Sequence, residues 1–175
     1  TDSAQLALFG TIATDAPFAL TAQVQLSSAS TAATPWQGHV HVQGPLETLA
    51  AKIKLASSRT AQASIDATVQ LTPFAAWPLG AMDLKLNDLN LASLDAKLPQ
   101  TQLSGQASIN TSARDAPIQA RIALSNAKPG RWDAQALPIE RLSLQAEGLA
   151  SDRSRLLLPQ LEAVLHQNAG TVRGS

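Results

Sequence analysis

The sequence predicts an all-β chain: a long antiparallel sheet, curled into an open trough with an apolar inner face. Three observations predict it. Apolar and polar residues alternate with period two through most of the 175 residues. Pro- and Gly-containing turn text recurs between the alternating runs. Apolar residues make up 45% of the chain but aromatics only 3%, so the apolar surface is aliphatic rather than pocketed.

Side chains on a strand point to opposite faces at successive residues, so strict alternation puts all apolar groups on one face. Along the chain, Leu20, Val24 and Leu26 alternate with Thr21, Gln23 and Gln25. Val40 and Val42 are flanked by His39, His41 and Gln43, and Ile53 and Leu55 oppose Lys52 and Lys54. Over residues 61–72, Ile65, Val69 and Leu71 alternate with Asp66, Thr68 and Gln70. Leu84 and Leu86 continue the pattern, and residues 86–98 shift phase, which predicts a bulge or a helical turn. Leu103 and Ile109 stand against Ser104, Gln106 and Ser108. Ile122 and Leu124 oppose Arg121 and Ser125, and Leu142 and Leu144 oppose Arg141, Ser143 and Gln145. Residues 156–158 (Leu-Leu-Leu) before Pro159 read equally as strand or loop. In all, about ten strands are expected.

Turns are expected at Asp15-Ala16-Pro17, Gly44-Pro45, Thr72-Pro73, Asp115-Ala116-Pro117 and Lys128-Pro129-Gly130. No linker or charge run divides the chain, so residues 1–175 form one unit, and a chain that starts and stops inside a strand pattern reads as a piece of a longer protein. A sandwich also satisfies the alternation. A membrane barrel needs two aromatic girdles, which three Trp, three Phe and no Tyr do not supply. A solenoid needs a fixed coil-by-coil period, and none is found.

Composition narrows function. Lys plus Arg equals Asp plus Glu at 13 each, so the chain lacks the basic excess that nucleic-acid binding requires. The absence of cysteine removes disulfides, thiolate metal sites and cysteine nucleophiles. No run reaches the roughly 18 apolar residues of a spanning helix. His39 and His41 have a metal-compatible spacing but no third ligand nearby in sequence, and His166 stands alone; both cases read as solvated residues. No Gly-x-Ser-x-Gly elbow or paired carboxylate stands out, so no catalytic residue, metal ligand or cofactor is expected. Trp77 and Trp132 read as plugs at a sheet end, and Arg153 and Arg155 beside Asp152 as a solvated turn.

Several segments resemble the TamB family of proteobacterial envelope proteins, related to the AsmA-like group. The run from Asp115-Ala116-Pro117-Ile118 through Ser125-Asn126-Ala127-Lys128-Pro129-Gly130-Arg131-Trp132-Asp133 to Leu137-Pro138-Ile139 is similar to that family's strand, Asn-x-x-x-Gly-x-Trp-Asp loop and following Leu-Pro. Gly44-Pro45-Leu46, Phe74-Ala75-Ala76-Trp77-Pro78 and Leu98-Pro99-Gln100 through Ala107 resemble it too. The resemblance implies a β-taco-like, non-enzymatic segment that shields phospholipid acyl chains in an apolar groove between inner and outer membranes. It implies a periplasmic location, an inner-membrane anchor elsewhere in the full-length protein, and an outer-membrane barrel partner. The apolar-face residues named above would line that groove. The alternative is a scaffold for outer-membrane protein assembly that pairs strands at its open edges. Uncovered, such a face is also expected to drive self-association.

Overall fold

A computed structural model describes residues 5–28, 35–57, 63–75, 77–95, 97–111, 117–149, 152–168 and 170–174. Among them run eleven strands: β1 (Gln5–Ile12), β2 (Ala19–Ser27), β3 (Trp36–Pro45), β4 (Leu49–Ser57), β5 (Ser64–Leu71), β6 (Leu79–Leu89), β7 (Leu103–Thr111), β8 (Pro117–Asn126), β9 (Ile139–Leu149), β10 (Asp152–Leu165) and β11 (Thr171–Gly174). They form one sheet in strict chain order, every neighbouring pair antiparallel. The first and last strands do not pair, so the sheet is an open meander and not a barrel.

Among the described residues, extensive packing joins only strands adjacent in the sheet, and no second layer of strands or helices covers either face. The surface area is 11623 Å². A globular chain of this mass exposes about 8,100 Å² by surface scaling, so this fold exposes roughly 40% more. Among the described residues no large side chain is fully buried, and the buried apolar set is Ala51, Ala63, Leu89, Leu103 and Ala146. A sandwich with a shared dry core is therefore not the fold.

Most turns fall where the sequence placed them. Phe18 N–H donates to Asp15 O at 2.8 Å and Thr48 N–H to Pro45 O at 2.9 Å, closing the β1–β2 and β3–β4 connections. The turn after Thr72 closes through Ala75 N–H to Thr72 O at 2.9 Å. Asp115 and Ala116 lie outside the described residues, and β8 starts at Pro117, where a missing N–H costs the ladder least.

The phase shift predicted within residues 86–98 takes both of its forms. The β6–β7 register slips between Leu86 and Leu89, with Asp88 at φ 44°, and a 3-10 turn follows at Leu91–Ser93. Residues 156–158 belong to β10, not to a loop. Two expectations need correction. Arg153 and Arg155 lie within strand β10 instead of a turn. Trp132 plugs nothing: it opens a 3-10 turn and is 69% exposed, its ring turned to solvent.

Gly105 is where a side chain is least admissible. Its φ of 152° belongs to glycine, and a Cβ there would run into Ala123 O of the neighbouring strand. At Gly38 an added Cβ would instead meet Leu55 Cδ2, the movable end of a side chain. Gly105→Ala is predicted to cost about 2 kcal/mol, the scale of a forced backbone conformation, and Gly38→Ala about 1 kcal/mol or less. Urea unfolding of the two variants checks the order; equal midpoints would contradict it.

Candidate functional site: an apolar sheet face and its polar reverse

Because the ladders hold register wherever these rows cross them, the shifts in β5–β6, β6–β7 and β9–β10 lying outside the rows, apolar side chains align into rows crossing the sheet. One row runs Leu8, Val24, Val40, Ile53, Ala67, Leu84, Ala107, Ile122, Leu144, Leu161. A second runs Leu6, Leu26, Gly38, Leu55, Ile65, Leu86, Gly105, Leu124, Leu142, Ala163, Val172. A third runs Ala22, Val42, Ala51, Val69, Met82, Ile109, Ala120, Ala146. Neither of the first two rows contains a polar side chain; glycine fills the gaps where Leu55 and Leu124 lean across.

Leu20 lies beside Ile12, Leu71 sits between Leu49 and Leu79, and Leu103 faces Leu89. All eighteen apolar residues singled out in the sequence thus share one face. Leu103 is buried and the others are half-buried by lateral neighbours alone.

The other face carries the polar rows. Gln25, His39, Lys54, Asp66, Lys85 and Gln106 form one, and Gln23, His41, Lys52, Thr68, Asp83, Ser108 and Arg121 the next. A cleft of about 680 Å³ crosses β4 to β9 between these rows. From each strand it takes three successive residues. The outer two, such as Lys52 and Lys54, are polar-face residues or, at Ala123, a small one. The middle one (Ile53, Ala67, Leu84, Ala107, Ile122 or Leu144) contributes backbone, since alternation turns its side chain to the apolar face. A second cleft of about 610 Å³, flanked by Ser104, Ser125, Arg141, Glu162 and Arg173, opens on the same side, since β10 and β11 give it only the residues that flank apolar-face Ala163 and Val172. These concavities therefore open on the polar side of the sheet.

His39 and His41 pair across the ladder with Lys54 and Lys52, and one His41 ring nitrogen meets Gln43 Oε1 at 3.0 Å. Two ammonium groups directly opposite disfavour a cation at that spot. Among the described residues no group of three or more His, Asp or Glu gathers. His166 is not alone: its Nδ1 lies 3.2 Å from Glu140 Oε1, joining the segment after β10 to the start of β9. Trp36 and Trp77 each hold a buried indole Nε1–H with no acceptor among the described residues.

One end of the apolar face is built differently. The long connections after β6 and β8 pack together there, and Gln100 bridges to Ala136. Asn126, 6% exposed, pairs with Leu103 and so points to the apolar side. Its Oδ1 accepts from Gln102 N–H at 3.0 Å and Lys128 N–H at 3.2 Å, and its Nδ2 donates to Leu137 O at 3.3 Å. Thr101, 3% exposed, donates from Oγ1 to Leu89 O at 3.0 Å and accepts from Leu91 N–H at 2.9 Å. Asn90 Oδ1 accepts from Ala92 N–H and Thr101 N–H at 3.2 and 3.1 Å. These three side chains satisfy backbone groups of the two connections, and they fix a wall at one end of the rows. Thr101 and Asn126 lie inside the motif runs quoted above, but their roles as loop anchors were not read from sequence.

No family model matches the chain, and comparison with curated proteins and with solved structures returned no match.

Asn126→Ala leaves the N–H groups of Gln102 and Lys128, in two loops, unpaired, while Leu137 O keeps Gly130 N–H at 3.1 Å; it is predicted to cost about 2 kcal/mol, the scale for orphaning buried polar groups. Hydrogen exchange should accelerate at the amides of Gln102 and Lys128 while mid-strand amides of β3 and β4 stay protected. Unchanged exchange at those two amides would show that the wall does not depend on Asn126.

Proposed function

We propose that the chain is a non-enzymatic lipid-conducting segment whose apolar face shields phospholipid acyl chains, as in the TamB-like proteins its sequence resembles. The observation that carries the reading is the unbroken apolar rows on a sheet without a second layer. Contiguous apolar surface of this extent exceeds what soluble monomers leave bare and calls for a cover. A row crossing eleven strands spans about 48 Å at the usual spacing of neighbouring strands, well beyond the roughly 30 Å thickness of a bilayer's hydrocarbon core.

The energetics suit passage. An acyl chain of about sixteen carbons costs on the order of 13 kcal/mol to hold in water, at roughly 0.8 kcal/mol per methylene. A continuous Leu, Ile and Val surface offsets that penalty along its whole length without gripping any one atom. Side-chain rows run across the strands, so the path runs from strand to strand along the sheet, and the wall built on Asn90, Thr101 and Asn126 bounds it on one side. The reading includes a periplasmic setting between the two membranes and an outer-membrane barrel partner for the full-length protein.

Photocrosslinking tests it. A photoreactive amino acid at Ile65, Val69 or Leu124 should yield phospholipid adducts, and one at Gln70 or Gln119 on the other face should not. Val69→Arg should lower binding of a fluorescent acyl probe at least tenfold, because a guanidinium then stands in the third apolar row; Gln70→Arg should leave it unchanged. Adducts distributed equally over both faces would refute a lipid path on the apolar one.

A further inference from the structure

We infer that the cleft across β4–β9 on the polar face binds an extended anionic glycan that carries one acid group on every second sugar. The cleft, about 680 Å³, runs across the strands between two polar rows and over a floor of backbone. Its walls carry Lys52, Lys54, Lys85 and Arg121 against the carboxylates of Asp66 and Asp83, so it holds a cationic excess that the chain as a whole lacks. The cations occur only on alternate strands: Lys52 and Lys54 on β4, Lys85 on β6 and Arg121 on β8. The strands between them offer Asp66 and Thr68 on β5, and Gln106 and Ser108 on β7. All four cations are exposed. Among the described residues, none of these charged side chains makes a hydrogen bond or an ion pair. Lys54, Asp66 and Lys85 stand opposite one another across the ladder without closing to bonding distance.

The spacing selects the ligand. Neighbouring strands lie about 4.8 Å apart, so the cationic positions recur about every 9.6 Å along the cleft. Two sugar units of an extended chain cover that step. Between the cations a ligand meets carboxylate, amide and hydroxyl groups, which call for neutral groups that both donate and accept hydrogen bonds. Sugar hydroxyls do both. A densely charged polyanion fits poorly, because its consecutive phosphates would be set against Asp66 and Asp83.

An acidic peptide fits less well than a glycan. At about 3.3 Å per residue it matches the cations only with an acid at every third position. Its backbone would find no strand edge to pair with, since β4 to β9 each have a neighbour on both sides. Its remaining side chains would meet polar walls without an apolar pocket.

The inference stands apart from the lipid reading, since these side chains lie on the face opposite the apolar rows. The test is fluorescence anisotropy of a labelled hyaluronan octasaccharide, which has one carboxylate per disaccharide. It uses the full chain in a mild non-ionic detergent that covers the apolar face. The unmodified chain should bind at low salt and release the probe as salt screens the cations. Lys85→Gln and Arg121→Gln should each weaken binding about fivefold, the upper range for an exposed charge contact. Arg131→Gln, outside the cleft, and Val69→Arg, on the apolar face, should leave it unchanged. Polyphosphate should bind more weakly than hyaluronan, and Asp66→Asn should strengthen polyphosphate binding only. Three results would overturn the inference: no hyaluronan binding by the unmodified chain at low salt, an equal loss in Arg131→Gln, or tighter binding of polyphosphate or of a peptide with Asp at every third residue. Far-UV circular dichroism confirms that each variant keeps its strands.

Discussion

Everything in this fold depends on the cross-strand register. A two-layer protein can tolerate a local slip because a core on one side penalises it. A single layer has no such backstop, and a slip of one residue would transfer a whole strand's aliphatic side chains to the wet face. The ladders from β1 to β5 run without a shift. Where shifts occur in β5–β6 and β6–β7 they lie at strand ends, past the two apolar rows. Glycine at positions 38 and 105 belongs to the same constraint, since it lets neighbouring leucines lean in and keeps strands at ladder distance.

From that constraint two faces with opposite chemistry follow. The apolar side offers aliphatic surface without polar anchors, suited to sliding contact. On the polar side Lys54 and Lys85 flank Asp66 across the ladder, an alternation of sign that favours the observed register over neighbouring ones. Isolated surface ion pairs such as Arg131 with Asp133 add little, both side chains being largely in water. Rigidity at one end of the sheet comes instead from buried Asn126 and Thr101, which satisfy loop backbone where no core exists to hold the loops.

Much of this was legible in the sequence, because period-two alternation is a local signal that needs no knowledge of partners. The strands through Val24, Val40, Ile53, Val69, Leu84, Ile122 and Leu144 and their common face follow from it directly. What alternation does not encode is whether a second sheet covers the face; only the chain-order pairing separated an open meander from a sandwich. Side chains acting on distant backbone also escaped. Thr101 contacts Leu89 and His166 contacts Glu140, 12 and 26 residues away, and nothing local marks such partners. Trp132 misled because a large aromatic near Gly and Pro suggests a plug, whereas its loop turns the ring to solvent. The concavities on the polar side were missed for a similar reason: curvature is a property of the assembled sheet.

The central claim is that lipid covers the apolar face and leaves the other to water. Nitroxide labels at single cysteines along one row (Val40, Ile53, Leu84, Ile122 and Leu144) and at Lys52, Lys85 and Arg121 behind it measure this directly through collision with oxygen and with a polar nickel chelate. On adding phospholipid, the row should become accessible to oxygen and shielded from nickel, and the three polar-face labels should keep their nickel accessibility. Labels on both faces that respond alike, or a row still open to nickel in excess phospholipid, would contradict the account.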